Sequence, residues 1–221
     1  MRGRSLRLTA NVCGKSLRNA HVNKPPKNLT RMPGDQPRLT IIAGANGCGK
    51  STFTARSSFV HRIPLLDPDA ISKALQPSIP GTSAVAAARK VLNSARQHIQ
   101  KGEGFAVETT LSGRGYLQMM LEARTCGFET VLVYIGTERV EINLSRIRDR
   151  VVAGGHNVLE VDVRRRYLRS FQNLAAAISR ADHTILFDNS TEEGYRLVAV
   201  LGPSGNKWFK PTPHWASPVA R

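Results

Sequence analysis

The chain reads as an α/β fold, a three-layer α/β/α arrangement around a mainly parallel sheet with a helical, arginine-rich lid. Three observations predict this. Short apolar runs alternate with stretches of helical periodicity from residue 39 onward. The first run leads through a glycine-rich turn into a helical segment. No internal repeat competes with this pattern.

The candidate strands are 39–43, 63–66, 105–108, 131–135 and 184–187. Their β-branched and aromatic residues favour a pleated, buried setting. Helical stripes lie between them. Val85, Ala88, Leu92, Ala95 and Ile99 form the first; Val140, Leu144, Ile147 and Val151 form the second. Val163, Tyr167, Phe171, Leu174 and Ile178 form the third. Strand and helix in alternation imply right-handed crossovers between parallel strands. The run Leu197-Val198-Ala199-Val200-Leu201 adds a last candidate strand. Pro203, Pro211, Pro213 and Pro218 predict an irregular tail over 204–221.

The 221 residues suffice for one substantial core. Lys and Arg number 32 against 16 Asp and Glu, a formal charge of +16. Residues 1–38 hold nine of the basic residues and one acid, Asp35. The stretch 39–204 keeps 20 basic and 15 acidic residues, a modest positive field suited to steering anions. Residues 1–36 lack apolar periodicity and are expected to form a disordered, basic leader. A solvated tail, an organelle transit peptide and a nucleic-acid arm are the readings open for it. The domain expectation is therefore a leader over 1–36, a folded domain over 37–203 and the tail.

Cys13, Cys48 and Cys126 are odd in number and far apart, and no C-x-x-C or Cys/His cluster exists, so neither a disulfide scaffold nor a zinc site is supported. A reducing cytoplasm suits them. No apolar run has the length of a membrane span, and no apolar segment follows Arg2, Arg4 and Arg7 to make a secretory signal.

The run Gly44-Ala45-Asn46-Gly47-Cys48-Gly49-Lys50-Ser51 fits G-x-x-x-x-G-K-[ST], the P-loop pattern, between a strand and a helix. Its glycines permit a tight turn that brings backbone N–H groups against phosphate. The helix behind it favours negative charge. Gly44, Ala45, Asn46, Gly47, Cys48, Gly49, Lys50, Ser51 and Thr52 are the candidate nucleotide contacts. Lys50 is expected to reach the β- and γ-phosphates of ATP, and Ser51 to offer its hydroxyl to Mg²⁺. Cys48 has two readings: a thiol activated by Lys50 and the helix N-terminus, or a small filler.

Ligands in such sheets bind at the carboxyl ends of strands. Asp67-Pro68-Asp69 follows the second strand. Asp67 is assigned to capping and Asp69 to proton acceptance from an attacking hydroxyl. Glu108-Thr109-Thr110-Leu111-Ser112-Gly113-Arg114 follows the third strand. Glu108, Thr109, Thr110, Ser112 and Arg114 are candidates for binding substrate hydroxyls, with Glu108 also suited to the hydration shell of Mg²⁺. Two arginine clusters flank Gly154-Gly155-His156. Arg150 and one of Arg165 or Arg166 are expected to neutralise a transferring phosphoryl group from a closing lid. His156 and the pair Asp188-Asn189 are read as structural. No strand ends in an unmistakable Walker B Asp, since 131–135 runs into Gly136, so Mg²⁺ is expected to be held by Ser51, phosphates and water.

Six blocks in this order resemble the zeta-toxin family of P-loop kinases, in the manner of its chromosomal, stand-alone branch. They are GANGCGKSTF (44–53), DPDAI (67–71), FAVETTLSGRGYL (105–117), RIRDRVVAGGHNV (146–158), VRRRYLRSFQNL (163–174) and LFDNS (186–190). The resemblance implies a phosphotransferase that moves the γ-phosphate of ATP to a sugar-nucleotide hydroxyl, UDP-N-acetylglucosamine in the characterised toxins. It implies Asp69 as the base, Glu108 as a substrate contact, and Arg150 with Arg165 or Arg166 as the lid cations. It also implies an antitoxin protein as a partner. Ala45 stands where the family commonly has proline, and the loop 109–113 differs from that of the plasmid toxins. The other readings are a polynucleotide or nucleoside kinase, weakly served by the few aromatic residues, and an ATP-gated binding module without catalysis.

Overall fold

The computed structural model describes residues 36–57, 63–68, 70–71, 82–155 and 157–220. The expectations for Asp69, His156 and the leader lie outside these residues, Gln36 apart.

The described chain runs β1 (Arg38–Ala43), α1 (Lys50–Arg56), β2 (Leu65–Leu66), α2 (Thr82–Lys101), β3 (Phe105–Thr109), α3 (Arg114–Thr125) and β4 (Glu129–Gly136). It continues through α4 (Val140–Val152), α5 (Glu160–Ile178), β5 (His183–Asp188), β6 (Arg196–Leu201) and β7 (Lys207–Trp208). A 3₁₀ helix, His214–Val219, follows. All five expected strands are present, and 197–201 falls within β6.

The seven strands form one sheet in the order β2-β3-β1-β4-β5-β6-β7. The first five pair in parallel, and β6 and β7 are antiparallel additions at one edge. The parallel part is the predicted doubly covered core of an α/β fold. β1 lies between β3 and β4, with Ala43 opposite Thr109 on one side and Tyr134 on the other. The loops after β1 and β3 therefore open at the same edge of the sheet. β2 and β3 lie to one side of β1 and β4 to β7 to the other, so connections diverge at β1, which is where such sheets bind ligands.

Alternation along the strands splits the core by face. Leu39, Ile41, Phe105, Val107, Leu132, Tyr134 and Leu186 face the layer that contains Val91, Met120 and Leu174. Ile42, Ala106 and Ile135 point the other way, with Cys48, and Phe53 of α1 packs on them. The α2 stripe is centred on Ala87, Val91, Ala95 and Ile99, one i,i+4 row away from part of the expected set; Ala88 and Leu92 are only half-buried. Val163, Tyr167 and Leu174 are buried on α5 as expected. In α4 the stripe ends at Ile147, and Val151 is 37% exposed because the last turn of the helix extends beyond the core.

The expected irregular tail is corrected by the structure. Residues 207–208 pair with β6, and the 3₁₀ helix buries Trp215 and Ala216. Trp215 stacks beside Phe171 and Tyr134 and donates its indole N–H to Asp188 at 3.0 Å. Gly136 makes room for it: a Cβ there would lie 2.4 Å from the indole ring. The prolines shape the approach to this helix, with Pro213 as its N-cap, and do not prevent docking.

Candidate nucleotide and phosphoryl-transfer site

The turn after β1 enters α1 at Lys50, with Gly44, Gly47 and Gly49 all at positive φ. Two of these positions require glycine on contact grounds as well. A Cβ on Gly47 would meet the Asn143 carbonyl oxygen at 2.5 Å, and one on Gly49 would meet the Asn189 carboxamide at 2.6 Å. The loop is therefore wedged between α4 and the segment after β5.

Five carbonyls of this turn have side-chain donors. Lys50 Nζ donates to Gly44 O at 2.9 Å and Ala45 O at 3.1 Å. Asn143 Nδ2 donates to Asn46 O at 2.7 Å. Asn189 Nδ2 donates to Cys48 O at 2.8 Å, and the Tyr195 hydroxyl to Gly49 O at 2.7 Å. Asn143, Asn189 and Tyr195 reach the loop across long sequence separations, and their role was missed from sequence. One signal existed: Asn143 is a polar residue three positions after Val140 and four before Ile147, on the apolar face of α4.

Above the loop lies an open cleft of about 360 Å³. Asn46, Gly47, Gly49, Lys50, Ser51 and Thr52 line its floor, with Glu108 beside them. Arg146, Ile147 and Arg150 of α4 form the facing wall. Arg146 is pinned, donating to Asn189 O at 2.7 Å. Gly44, Ala45 and Cys48 are buried and lie outside the cleft lining.

Glu108 is only 4% exposed. Its carboxylate accepts from Thr54 Oγ1 at 2.6 Å and from Ser51 Oγ at 3.2 Å. Burial pushes the carboxyl above its ordinary range, while Thr54 and Lys50 oppose the shift. The carboxylate thereby faces the loop serine. The hydroxyl of Ser51 and this carboxylate are hard oxygen donors of the type that binds Mg²⁺ directly or through water. Among the described residues no group of three His, Cys, Asp or Glu could hold a metal. The donor set thus fits a Mg²⁺ that takes its remaining ligands from phosphates and water.

The substrate-loop candidates divide. Thr109 is buried, and its hydroxyl accepts from Leu111 N at 2.9 Å, so it shapes the turn. Thr110 and Ser112 bond to each other at 2.8 Å and remain half-buried. Arg114 starts α3 and is exposed. Leu111 adopts φ 56, and Asn173 of α5 donates to its carbonyl at 2.8 Å. Thr110, Ser112 and Arg114 lie outside the cleft lining itself.

The arginine candidates also divide. Arg166 Nη1 donates to the Asn46 side chain at 3.3 Å. Arg165 is exposed and pairs with Asp162 at 2.6 Å, and Arg164 pairs with Glu160 and Glu141. The structure therefore brings Arg166 to the loop and leaves Arg165 on the surface. The activated-thiol reading of Cys48 is overturned: the residue is fully buried, and burial raises its pKa in spite of Lys50. Asp188 and Asn189 are structural, as read: Asp188 accepts from Ser190, Arg196 and Trp215.

A phosphate loop at the carboxyl end of a parallel sheet, with lysine, serine and a buried carboxylate converging below it, defines a P-loop nucleotide-binding protein of the kinase-like type. A model of the AAA-domain family matches residues 39–177, and the chain belongs to that family. An uncharacterized protein of Haemophilus influenzae is 39% identical over 132 residues, which span 60% of this chain and 94% of the relative. The fold is similar to that of a candidate kinase from Chloroflexus aurantiacus, with TM-score 0.54, 18% identity and coverage of 72% of this chain and 91% of the other. It is also similar to the AvrRxo1-ORF1:ORF2 complex with ATP, with TM-score 0.64 and 16% identity. That match covers 85% of this chain and 64% of the other, less than two thirds of its length. The PezAT chromosomal toxin–antitoxin system of Streptococcus pneumoniae matches with TM-score 0.54 and 15% identity, covering 75% and 72%. At these identities the likeness is one of fold. Among the described residues no helix is long and apolar enough to cross a membrane.

Proposed function

We propose that the protein is an ATP-dependent kinase that transfers the γ-phosphate to a hydroxyl of a sugar nucleotide, in the manner of the zeta toxins. The observation that carries this reading is the convergence of Lys50, Ser51 and Glu108 on one side of the cleft with Arg146 and Arg150 on the other. That arrangement surrounds a polyphosphate with cations and backbone donors and places a Mg²⁺-type donor pair at its base. Mg²⁺, when bound, supplies charge neutralisation on the phosphate oxygens.

The chain's residues have separable tasks in this reading. The loop N–H groups and Lys50 hold the phosphates. Ser51 and Glu108 hold the metal, directly or through water. Asp69 accepts the proton of the acceptor hydroxyl as its oxygen bonds to the γ-phosphorus and the bond to ADP breaks. Arg150, with Arg166 rather than Arg165, neutralises the transferring group. Thr110 and Ser112 in the loop after β3, with Arg114 at the start of α3, bind the acceptor. Support for the sugar-nucleotide class comes from the six sequence blocks that resemble the zeta toxins and from the fold shared with a toxin–antitoxin system. An antitoxin-like protein partner follows from the same likeness. The lone cysteines fit a cytoplasmic setting.

The test is to incubate the protein with Mg-ATP and a panel of UDP-sugars, free sugars, nucleosides and 5′-hydroxyl oligonucleotides. Acceptor phosphorylation is followed by mass spectrometry, with Asp69→Asn in parallel. A phosphorylated UDP-sugar that the variant fails to make is expected. A phosphorylated oligonucleotide would move the function to nucleic-acid end processing. ATP binding without any product would make the protein a nucleotide-gated binding module.

A further inference from the structure

The cleft wall and the phosphate loop are physically one body, and the junction is Asn143. Its side chain is fully buried. Its Oδ1 accepts from the Thr137 hydroxyl at 2.5 Å, which orients the carboxamide so that Nδ2 faces Asn46 O at 2.7 Å. The backbones touch as well, since Gly47 has no space for a Cβ against the Asn143 carbonyl. Arg146 and Arg150 follow Asn143 at i+3 and i+7, so one helix face carries the anchor and both wall cations.

The consequence follows from peptide geometry. In a trans peptide the C=O and the next residue's N–H point in opposite directions. Holding Asn46 O against α4 turns the N–H of Gly47 away from α4. Holding Cys48 O and Gly49 O on Asn189 and Tyr195 turns the N–H groups of Gly49 and Lys50 away from those donors. Gly47, Gly49 and Lys50 are loop residues that line the cleft. Without a donor, each buried carbonyl would lose its partner and the peptide would be free to rotate.

We infer that Asn143 is a positioning residue for polyphosphate binding, seconded by Asn189 and Tyr195: it acts through the Asn46 carbonyl to aim the loop N–H groups into the cleft. It also fixes the start of α4 to the loop. The inference rests on the nucleotide-binding part of the proposed function and is independent of the acceptor.

The test is calorimetric binding of ATP and of inorganic triphosphate to the wild type, Asn143→Asp and Thr137→Val between pH 5 and 8, with thermal melts of each ligand-free protein. Asn143→Asp keeps the shape and loses the donor. At pH 8 its carboxylate faces a carbonyl oxygen, and affinity for both ligands is expected to fall about tenfold or more. As pH falls the protonated carboxyl regains an O–H that can donate to Asn46 O, so the deficit relative to wild type is expected to shrink. A merely structural role would not produce that pH-dependent recovery in affinity. Thr137→Val introduces no buried charge, and a loss of about threefold to tenfold is expected because the carboxamide loses its orienting bond. It carries the test should Asn143→Asp fail to fold. Wild-type affinity in the variants at pH 8, or a deficit in Asn143→Asp equal at every pH, would overturn the inference while leaving nucleotide binding intact. A wild type that binds neither ligand would overturn both.

Discussion

The Ser51 hydroxyl donates to the Glu108 carboxylate at 3.2 Å, joining the first turn of α1 to the last residues of β3. The parallel register makes this pairing possible, because Ile42 stands opposite Glu108 and the loop begins just beyond. The sequence offers Glu108 for substrate hydroxyls or the hydration shell of Mg²⁺, and the sheet order places its carboxylate beside the loop serine because β3 is a direct neighbour of β1.

Glu108 carries a pH signature. Burial raises its carboxyl above the ordinary range, so the folded protein holds that proton more tightly than the unfolded chain. The group therefore favours folding in acid, and the advantage is lost as pH rises through the raised value. Glu108→Gln is expected to melt higher than wild type at neutral pH in the absence of ligand. The difference should close below about pH 3, where the carboxyl is protonated in both states. The same variant should lose about 10²-fold or more in Mg-ATP turnover. Melts across pH and a steady-state assay check the two halves; a variant less stable than wild type at neutral pH would contradict the first.

Arg165 and Arg166 are adjacent in sequence and opposite in consequence. Arg165→Ala removes an exposed pair with Asp162, worth about 0.2–0.5 kcal/mol, and nucleotide affinity should be unchanged. Arg166→Ala removes the contact to Asn46, a residue of the cleft floor, and ATP affinity should fall about threefold to tenfold. Titrations of both variants side by side decide it, and equal effects would remove the distinction.

The C-terminal segment is a stability element. Gly136→Ala drives a methyl group into the Trp215 ring, which must shift or be expelled. A loss of about 1–3 kcal/mol is expected, read as a lower urea midpoint. Trp215→Ala removes a buried ring and the partner of Asp188, and about 3–5 kcal/mol is expected.

Cys48 should resist alkylation in the native protein, since it is fully buried and its thiol is held protonated. Cys126 is partly exposed and should react before Cys48. Peptide mapping after brief treatment with iodoacetamide checks the order. Rapid labelling of Cys48 in folded protein would show that the loop opens.

Much of the fold was legible because its signals are local. Short apolar runs and stripes of period 3.6 mark the strands and helices, and the glycines of the G-x-x-x-x-G-K-[ST] run mark the phosphate loop. The placement of Glu108 at a strand end was legible too, though its direction was not. The Arg164–Arg166 run shows the limit. Three like residues in a helix differ by about 100° each in direction, and only the packing of α5 against the loop selects Arg166.

Sequence alone determined the strand–loop–helix unit, the parallel sheet and the residue types at the strand ends, since each follows from spacing over a few neighbouring residues. Tertiary structure decided which groups support that loop and how the C-terminal segment docks. Asn143, Asn189 and Tyr195 stand 97, 141 and 146 residues from the carbonyls they hold. Their chemistry is ordinary amide and phenol hydrogen bonding, and it acquires meaning only when the sheet order brings α4 and the β5–β6 segment beside β1. Trp215 obeys the same rule, because its site is a space left by Gly136 and becomes visible only when β4 and the chain terminus meet.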